Sequence, residues 1–347
     1  MASSLNNSAW LTWMATLMGG ASRHSYAATF SPDRFYCLLD ELPLHLIPRR
    51  APHLQVPKDS DEALFMNPDC MVCPAGELPR ELAGREADFS CFALQGTIAW
   101  VRDSTSGALM PFWLGPHFES VVQGLKPGVR VTLTLADGAR HRLTEAGILI
   151  TAGYQERSEQ RWNSTVERSA AAFQQKGYAP IADLIHPFHI AALRRYYRHL
   201  IRTGAIKLGD GQSPLRYVAY NEPVARLFHR AIASRLSALA GQALKPSYVY
   251  LASYLSGAEL KKHTDREQCE FSVTLCLDFS PEPALETPWP IRLDTAAGSI
   301  AVYQALGDAL AYRGTRLPHY RDALGAGQTS TSIFFHYVPV DFSGSLD

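Results

Sequence analysis

A chain of 347 residues, 46% hydrophobic and 19% charged, has the balance of an ordinary globular protein and the length for two domains or one large one. Its 33 basic residues are matched by 33 acidic ones, which excludes a general electrostatic pull toward nucleic acid or an anionic membrane and predicts neither as a partner. The apolar stretch from Trp10 to Met18 is broken by threonines, lacks a basic lead and is too short to span a bilayer. Six cysteines are too few for a disulfide scaffold of this size. A cytoplasmic protein with reduced thiols is expected, and nothing in the pattern specifies an oligomeric state.

Residues 1 to 28 are rich in Ser, Ala and Asn without sustained periodicity and read as a flexible terminus. Residues 29–153 read as a smaller N-terminal α/β domain. Within it, Thr97 to Val101 and Leu109 to Leu114 are strands around a turn at Ser104 to Gly107, and Pro116 to Leu125 has helical spacing ended by Lys126, Pro127 and Gly128. Arg142 to Ile150 closes the region. This order, over about residues 95–150, resembles the small winged-helix leader-recognition modules of enzymes that modify ribosomally made peptides. The resemblance implies a peptide-binding accessory domain; a helper domain walling the catalytic pocket is the alternative.

Residues 154 to 176 have polar helical spacing and link the two parts. Pro187 to Arg202 reads as an amphipathic helix with Gly204 past its end, and Asn221 as the N-cap of a second helix that runs from Pro223 to about Ala240. A β-rich tail follows, with strands expected at Ser247 to Leu255, Phe271 to Asp278, Ile291 to Leu293, Ser299 to Gln304, Ala309 to Tyr312, His319 to Arg321 and Ser330 to Val338. Short strands spaced by Gly and Pro turns suit a double-stranded β-helix, or jelly roll, with flanking helices. The expected class is therefore α+β.

In this tail stand His263, Thr264 and Asp265, with His319 fifty-six positions beyond His263. A redox metal such as Fe(II) takes two imidazoles and one carboxylate on one octahedral face, leaving positions open for substrate and O2. Strand residues i and i+2 share a face, so His263 and Asp265 are expected to point into one pocket, with His319 delivered by a later strand.

Tyr254, Gly257, His263 and Asp265, followed by Gly307, Asp308, Tyr312, Arg313, Gly314, Pro318 and His319, carry a family resemblance. With these motifs, residues from about 165 to 342 resemble the Fe(II)- and 2-oxoglutarate-dependent oxygenases, closest to the prolyl-4-hydroxylase type. The resemblance implies Fe(II) held by His263, Asp265 and His319, with 2-oxoglutarate and O2 as cosubstrates. It also exposes a departure: that type carries Lys or Arg about ten residues after the distal histidine, where this chain has Gln328 and Thr329. Arg321, at i+2 from His319, is the alternative cation for the cosubstrate's distal carboxylate. Ser330 and Ser332 share one face of the next strand and Thr329 and Thr331 the other, so one pair can add hydroxyl donors. Tyr254 is a further candidate donor, with a buried core tyrosine as the alternative.

Other residues have plainer readings. Arg266, Glu267 and Gln268 line a pocket or form a loop network; Arg313 and Arg316 contact an acidic substrate or stay solvated. Cys70 and Cys73 have zinc spacing but only Cys91 and His53 near them, which favours free thiols. His336 reads as a core histidine, and Arg194, Arg195, Tyr196 and Tyr197 as a snorkelling helix face. The chain is thus expected to hydroxylate a C–H bond of an amino acid, peptide or peptide-like small molecule, releasing succinate and CO2. A catalytically silent peptide-binding or sensor module on the same fold, and a cosubstrate-free metal-dependent jelly-roll enzyme, are the alternatives.

Overall fold

A computed structural model of the chain describes residues 30–40 and 62–346. The expected terminus to residue 28, the stretch from Trp10 to Met18 and His53 lie outside them. In chain order the first elements are β1 (Leu64–Met66), β2 (Cys70–Cys73), β3 (Ile98–Arg102), β4 (Leu109–Trp113), α1 (Pro116–Val122), α2 (Asp137–Glu145) and β5 (Leu149–Thr151). Next come α3 (Tyr154–Lys176), β6 (Tyr178–Ile181), α4 (Pro187–Arg202), β7 (Lys207–Leu208), β8 (Arg216–Tyr220), α5 (Pro223–Ala231) and α6 (Ala233–Ala240). The tail holds β9 (Leu244–Tyr254), β10 (Leu260–His263), β11 (Phe271–Ser280), β12 (Ile291–Thr295), β13 (Gly298–Val302), β14 (Ala309–Arg313), β15 (His319–Arg321) and β16 (Thr329–Pro339).

The eight strands of the tail are shared between two antiparallel sheets, changing sheet at every step except from β12 to β13. β10, β15, β12 and β13 form a four-stranded sheet, while β14, β11, β16 and β9 form the centre of a seven-stranded one. That exchange of strands between two facing sheets is the jelly-roll pattern the tail predicts. β6 on one edge and β8 with β7 on the other extend the large sheet, three strands that the sequence does not announce.

Alternation along β11 and β16 assigns the two faces of the large sheet. Val273, Leu275, Ile333 and Phe335 join the core beneath the helices, whereas Cys276 and Phe334 join the smaller interior cluster with Tyr254 and Trp289. Cys276 pairs with Ser332, but the next pair is Asp278 with Thr331, so Leu277 is an extra residue, a bulge that reverses the alternation. Asp278 thereby faces α4, where Arg194, 1% exposed, lies 3.0 Å from both Asp278 and Glu282.

The helices are positioned by their ends. α4 starts at Pro187, where the His186 ring accepts the Phe188 N–H at 3.1 Å, and its span matches the sequence expectation. Its Arg194, Arg195, Tyr196 and Tyr197 are not a snorkelling face: Arg194 is ion-paired, the Arg195 guanidinium lies 3.5 Å over the Tyr36 ring, and both tyrosines donate to Glu222. Glu222, not Asn221, caps α5 by accepting the Ala225 N–H at 2.9 Å. Asn221 has a positive φ of 50° and instead receives the Val249 N–H on its side chain. Ile232 separates α5 from α6 where one helix was expected. α3 ends at Gly177, whose φ of 78° is the left-handed conformation that a helix stop takes most easily with glycine.

The N-terminal residues pack without a break against these helices. Phe35 stands edge-on to Trp113, Tyr196 and Phe228 at 5.9, 5.9 and 6.0 Å, and one hydrophobic cluster runs from Phe30 to Tyr337. β2, β3 and β4 form a three-stranded sheet and β1 pairs with β5. All six cysteines are free thiols, and the converging His, Cys, Asp and Glu groups among the described residues do not include Cys70 or Cys73. No described helix is long and apolar enough to cross a membrane.

Candidate metal centre

His263 ends β10 and pairs directly with His319 on β15, which sets the two rings 4.4 Å apart between centroids. Asp265 does not share a strand with His263, contrary to the expectation from their spacing; it lies in the irregular segment after β10. Its backbone N–H donates to Gly314 O at 2.9 Å, and its Oδ1 sits 3.6 Å from His263 Nε2 and 3.5 Å from His319 Nε2. The three groups converge as expected, the third of them through a tie to the turn after β14 rather than through strand pleating.

The tautomers follow from the backbone. His263 Nδ1 is 2.8 Å from Lys261 O and His319 Nδ1 is 3.0 Å from Leu317 O, so each Nδ1 carries the proton and each Nε2 presents a lone pair toward Asp265. Burial raises the Asp265 pKa, but hydrogen bonds and charges from His319, His336 and Ser272 outweigh it and hold the carboxyl at about 2. Burial and the neighbouring His319 push the His263 pKa down. With each Nδ1 tied to a backbone carbonyl, both Nε2 atoms and the Asp265 carboxylate are left facing one another as donors to a cation.

Ser272 and Gly314 aim the carboxylate. Ser272 Oγ donates to Asp265 Oδ2 at 2.7 Å and lies 2.9 Å from His336 Nδ1. A Cβ on Gly314 would fall 2.2 Å from Asp265 Oδ2, 2.4 Å from Cys269 O and 2.7 Å from Ser272 Oγ, so only glycine fits.

The centre opens into a cavity of about 410 Å³ walled by Tyr220, Tyr248, Tyr250, Tyr254, Tyr312 and Phe334, with Asp210, Arg216, Arg266 and His336 among its polar lining. Tyr254 is fully buried and its hydroxyl accepts from Arg216 Nη1 at 3.2 Å, which leaves the tyrosine proton for another acceptor. Arg216 also donates through Nε to Asp210 at 2.9 Å and through Nη2 to Gln212 at 2.6 Å. Hydrogen bonds from Arg216 and Tyr250 overcome the effect of burial and hold Asp210 at about 2. Reading the sequence did not reveal this pair; the Gly209 to Gln212 turn was the available signal, but its strands are too short to announce themselves.

Arg321 is 4% exposed on β15. Its Nη1 donates to Trp289 O at 2.6 Å and Nη2 to Gln304 Oε1 at 3.3 Å, its guanidinium lies 4.7 Å over Trp289, and Nε has no partner among the described residues. Burial lowers its pKa, and the groups that oppose this are Tyr254, Cys276 and Tyr312, none of them a carboxylate. Ser332 Oγ and Thr274 Oγ1 are likewise buried without partners among the described residues. Ser330 is buried beside Tyr254 in register, while Thr331 on the opposite face bonds Ser253 at 2.8 Å.

The remaining candidates divide. Arg266 lines the cavity with its guanidinium 4.9 Å from the Tyr248 ring, whereas Gln268 O accepts from Ser247 Oγ at 2.6 Å. Arg313 packs over Phe173 and Phe271 at 5.3 and 5.1 Å, and neither it nor Arg316 lines the cavity. His336 lines it and is hydrogen-bonded to Ser272.

Fold and donor set together define a jelly-roll protein with a candidate two-histidine, one-carboxylate metal centre. No protein-family model and no curated protein matches the sequence. Among solved structures, the chain is similar to the epimerase SnoN in complex with Fe3+, α-ketoglutarate and nogalamycin RO, at 14% identity and a TM-score of 0.43 over 51% of this chain and 84% of that one. It is also similar to a Pseudomonas putida prolyl-4-hydroxylase, at 15% identity and a TM-score of 0.40 over 49% and 98% of the two chains. A third likeness is to EctD from S. alaskensis with 2-oxoglutarate and 5-hydroxyectoine, at 17% identity and a TM-score of 0.41 over 50% and 76%. Likenesses this distant carry no argument about activity; the side chains must.

Proposed function

We propose that the protein is an Fe(II)- and 2-oxoglutarate-dependent oxygenase that hydroxylates a C–H bond of an amino acid, peptide or peptide-like small molecule. The observation that carries this reading is a buried cation without a carboxylate partner among the described residues, Arg321, two residues along β15 from His319 of the converging triad. A buried charge ordinarily has a counter-ion, and a dicarboxylate ligand would supply one.

The donor set fits ferrous iron: two neutral nitrogens and one carboxylate oxygen are the ligands such a centre uses, held by His263, His319 and Asp265. Bound there, Fe(II) with 2-oxoglutarate and O2 would supply the oxidising chemistry that releases succinate and CO2 and hydroxylates the substrate. Arg321 would bind the distal carboxylate of 2-oxoglutarate through its unpartnered Nε, with Ser332 and Thr274 as hydroxyl donors from the large sheet. Tyr254 would donate its free proton to the same ligand, and Arg216 would hold that hydroxyl in place. The tyrosine walls would exclude water and seat the substrate. The N-terminal region, through its β3–β4 hairpin and α1, is proposed to contribute to peptide binding, and the protein to act in the cytoplasm.

Anaerobic loading with Fe(II) followed by titration with 2-oxoglutarate tests the reading. A saturable visible charge-transfer band that appears only with both components is the expected result. Iron binding without that band would refute the 2-oxoglutarate reading in favour of a cosubstrate-free enzyme or a silent binding module.

A further inference from the structure

Asp265 belongs to two groups of converging donors. Besides His263 and His319 it lies close to Cys269 and His336, and the ligand atoms of this second trio all fall within 4.8 Å of one another. Cys269 closes the short helical turn Glu267–Cys269 directly after the HxD motif, and its sulfur is 2.9 Å from the Tyr248 hydroxyl. Ser272 Oγ spans the other two members, at 2.7 Å from Asp265 Oδ2 and 2.9 Å from His336 Nδ1. Asp265, His336 and Tyr248 all line the cavity, so an ion has a path to the trio.

We propose that Asp265, Cys269 and His336 form a second metal site, one that takes a thiophilic divalent cation of the zinc type in competition with the first. A thiolate, an imidazole and a carboxylate make a donor set suited to zinc, which has no geometric preference of its own, and the cavity can add water as a fourth ligand. Ferrous iron gains more from the harder set of two imidazoles and a carboxylate. Asp265 is common to both sets, and its carboxylate with the Cys269 thiolate would leave two adjacent divalent ions half-neutralised in a buried pocket, so occupation of one set disfavours the other. Coordination displaces the Cys269 S–H proton to solvent while the sulfur lone pair forms the metal–sulfur bond, and no electron is transferred. The competition rests on reading the first set as a ferrous site; the second site itself does not.

Cobalt(II) reports the sulfur directly. Titrating the full chain without iron should produce the near-ultraviolet sulfur-to-cobalt charge-transfer band in the wild type, and a stronger one in His263→Ala. The band should vanish in Cys269→Ser, and His336→Gln should weaken cobalt binding tenfold or more. Absence of the band from both wild type and His263→Ala, or its survival in Cys269→Ser with thermal unfolding unchanged, overturns the site. One equivalent of Zn(II) should then suppress the Fe(II)–2-oxoglutarate band in the wild type but not in Cys269→Ser. Equal suppression in both overturns the competition. If the iron band never forms in either protein, the oxygenase reading fails while the cobalt result stands.

Discussion

Replacing Gly314 by alanine tests whether the carboxylate of the metal centre is clamped. The new methyl would stand 2.2 Å from Asp265 Oδ2, so that contact must open by roughly 1 Å to approach the ordinary separation of about 3.5 Å. The Cys269 carbonyl at 2.4 Å is backbone and cannot rotate aside, so the backbone at residue 314 must also shift, which displaces Asp265 both through its bond to Gly314 O and through its bond from Ser272. Overpacking of this kind costs about 1–3 kcal/mol of stability. Losing the support of a ligating side chain weakens metal binding by roughly ten- to a hundredfold. Anaerobic titration with Fe(II), beside a thermal melt, measures both effects. Iron affinity equal to that of the wild type in a folded Gly314→Ala protein would refute the clamp and, with it, the aimed role of Asp265.

Arg321→Ala should leave iron bound and raise the 2-oxoglutarate requirement roughly ten- to a hundredfold, as loss of a charge-assisted pair of about 1.5–3 kcal/mol implies; an unchanged requirement would move the cosubstrate carboxylate elsewhere. Arg194→Ala should destabilise the fold by about 3 kcal/mol because it leaves Asp278 half-compensated against α4, and a denaturant midpoint unchanged from wild type would remove that ion pair from the account. Burial lowers the pKa of His189 to about 4 and of His229 to about 3, so both rings stay neutral in the folded protein while the unfolded chain binds their protons first as the pH falls. Their contribution is complete above the unfolded value near 6.5 and is lost as pH drops toward the folded values, at about 1.4 kcal/mol per pH unit for each ring. A stability profile flat between about pH 6.5 and 4 would contradict the neutral assignment.

What the sequence made legible was local. The HxD pair with His319 could be placed because its spacing follows from how a metal is held, and α4 because Pro187, its apolar stripe and Gly204 mark both ends within one segment. Arg321 was picked out by counting two residues along a strand; the structure buries it on β15 against Trp289 and Gln304, outside the residues that line the cavity. The failures share a different cause. Asp265 is placed by a bond to Gly314, Asn221 is drawn from its cap by Val249, and Arg216 meets Tyr254 across paired strands; each depends on a partner 28 or more positions away. The bulge at Leu277 is equally silent in the sequence, since only pairing with β16 shows that one residue is extra. β7 is two residues long, below the length at which alternation can be read.

The contacts of Phe35 with Tyr196 and Phe228 have a consequence for how the chain comes apart. A cut near residue 153 would strip Phe35 from Tyr196 and Phe228, and about 1.5–3 kcal/mol would be forfeited for each large side chain so exposed. The two halves are therefore expected to melt in one cooperative event, in which loosening the N-terminal part also loosens the helices and the seven-stranded sheet they cover. The peptide binding proposed for that part is accordingly tested by substitutions on its outer face, such as at Val72 or Val129, rather than by removal of the part itself.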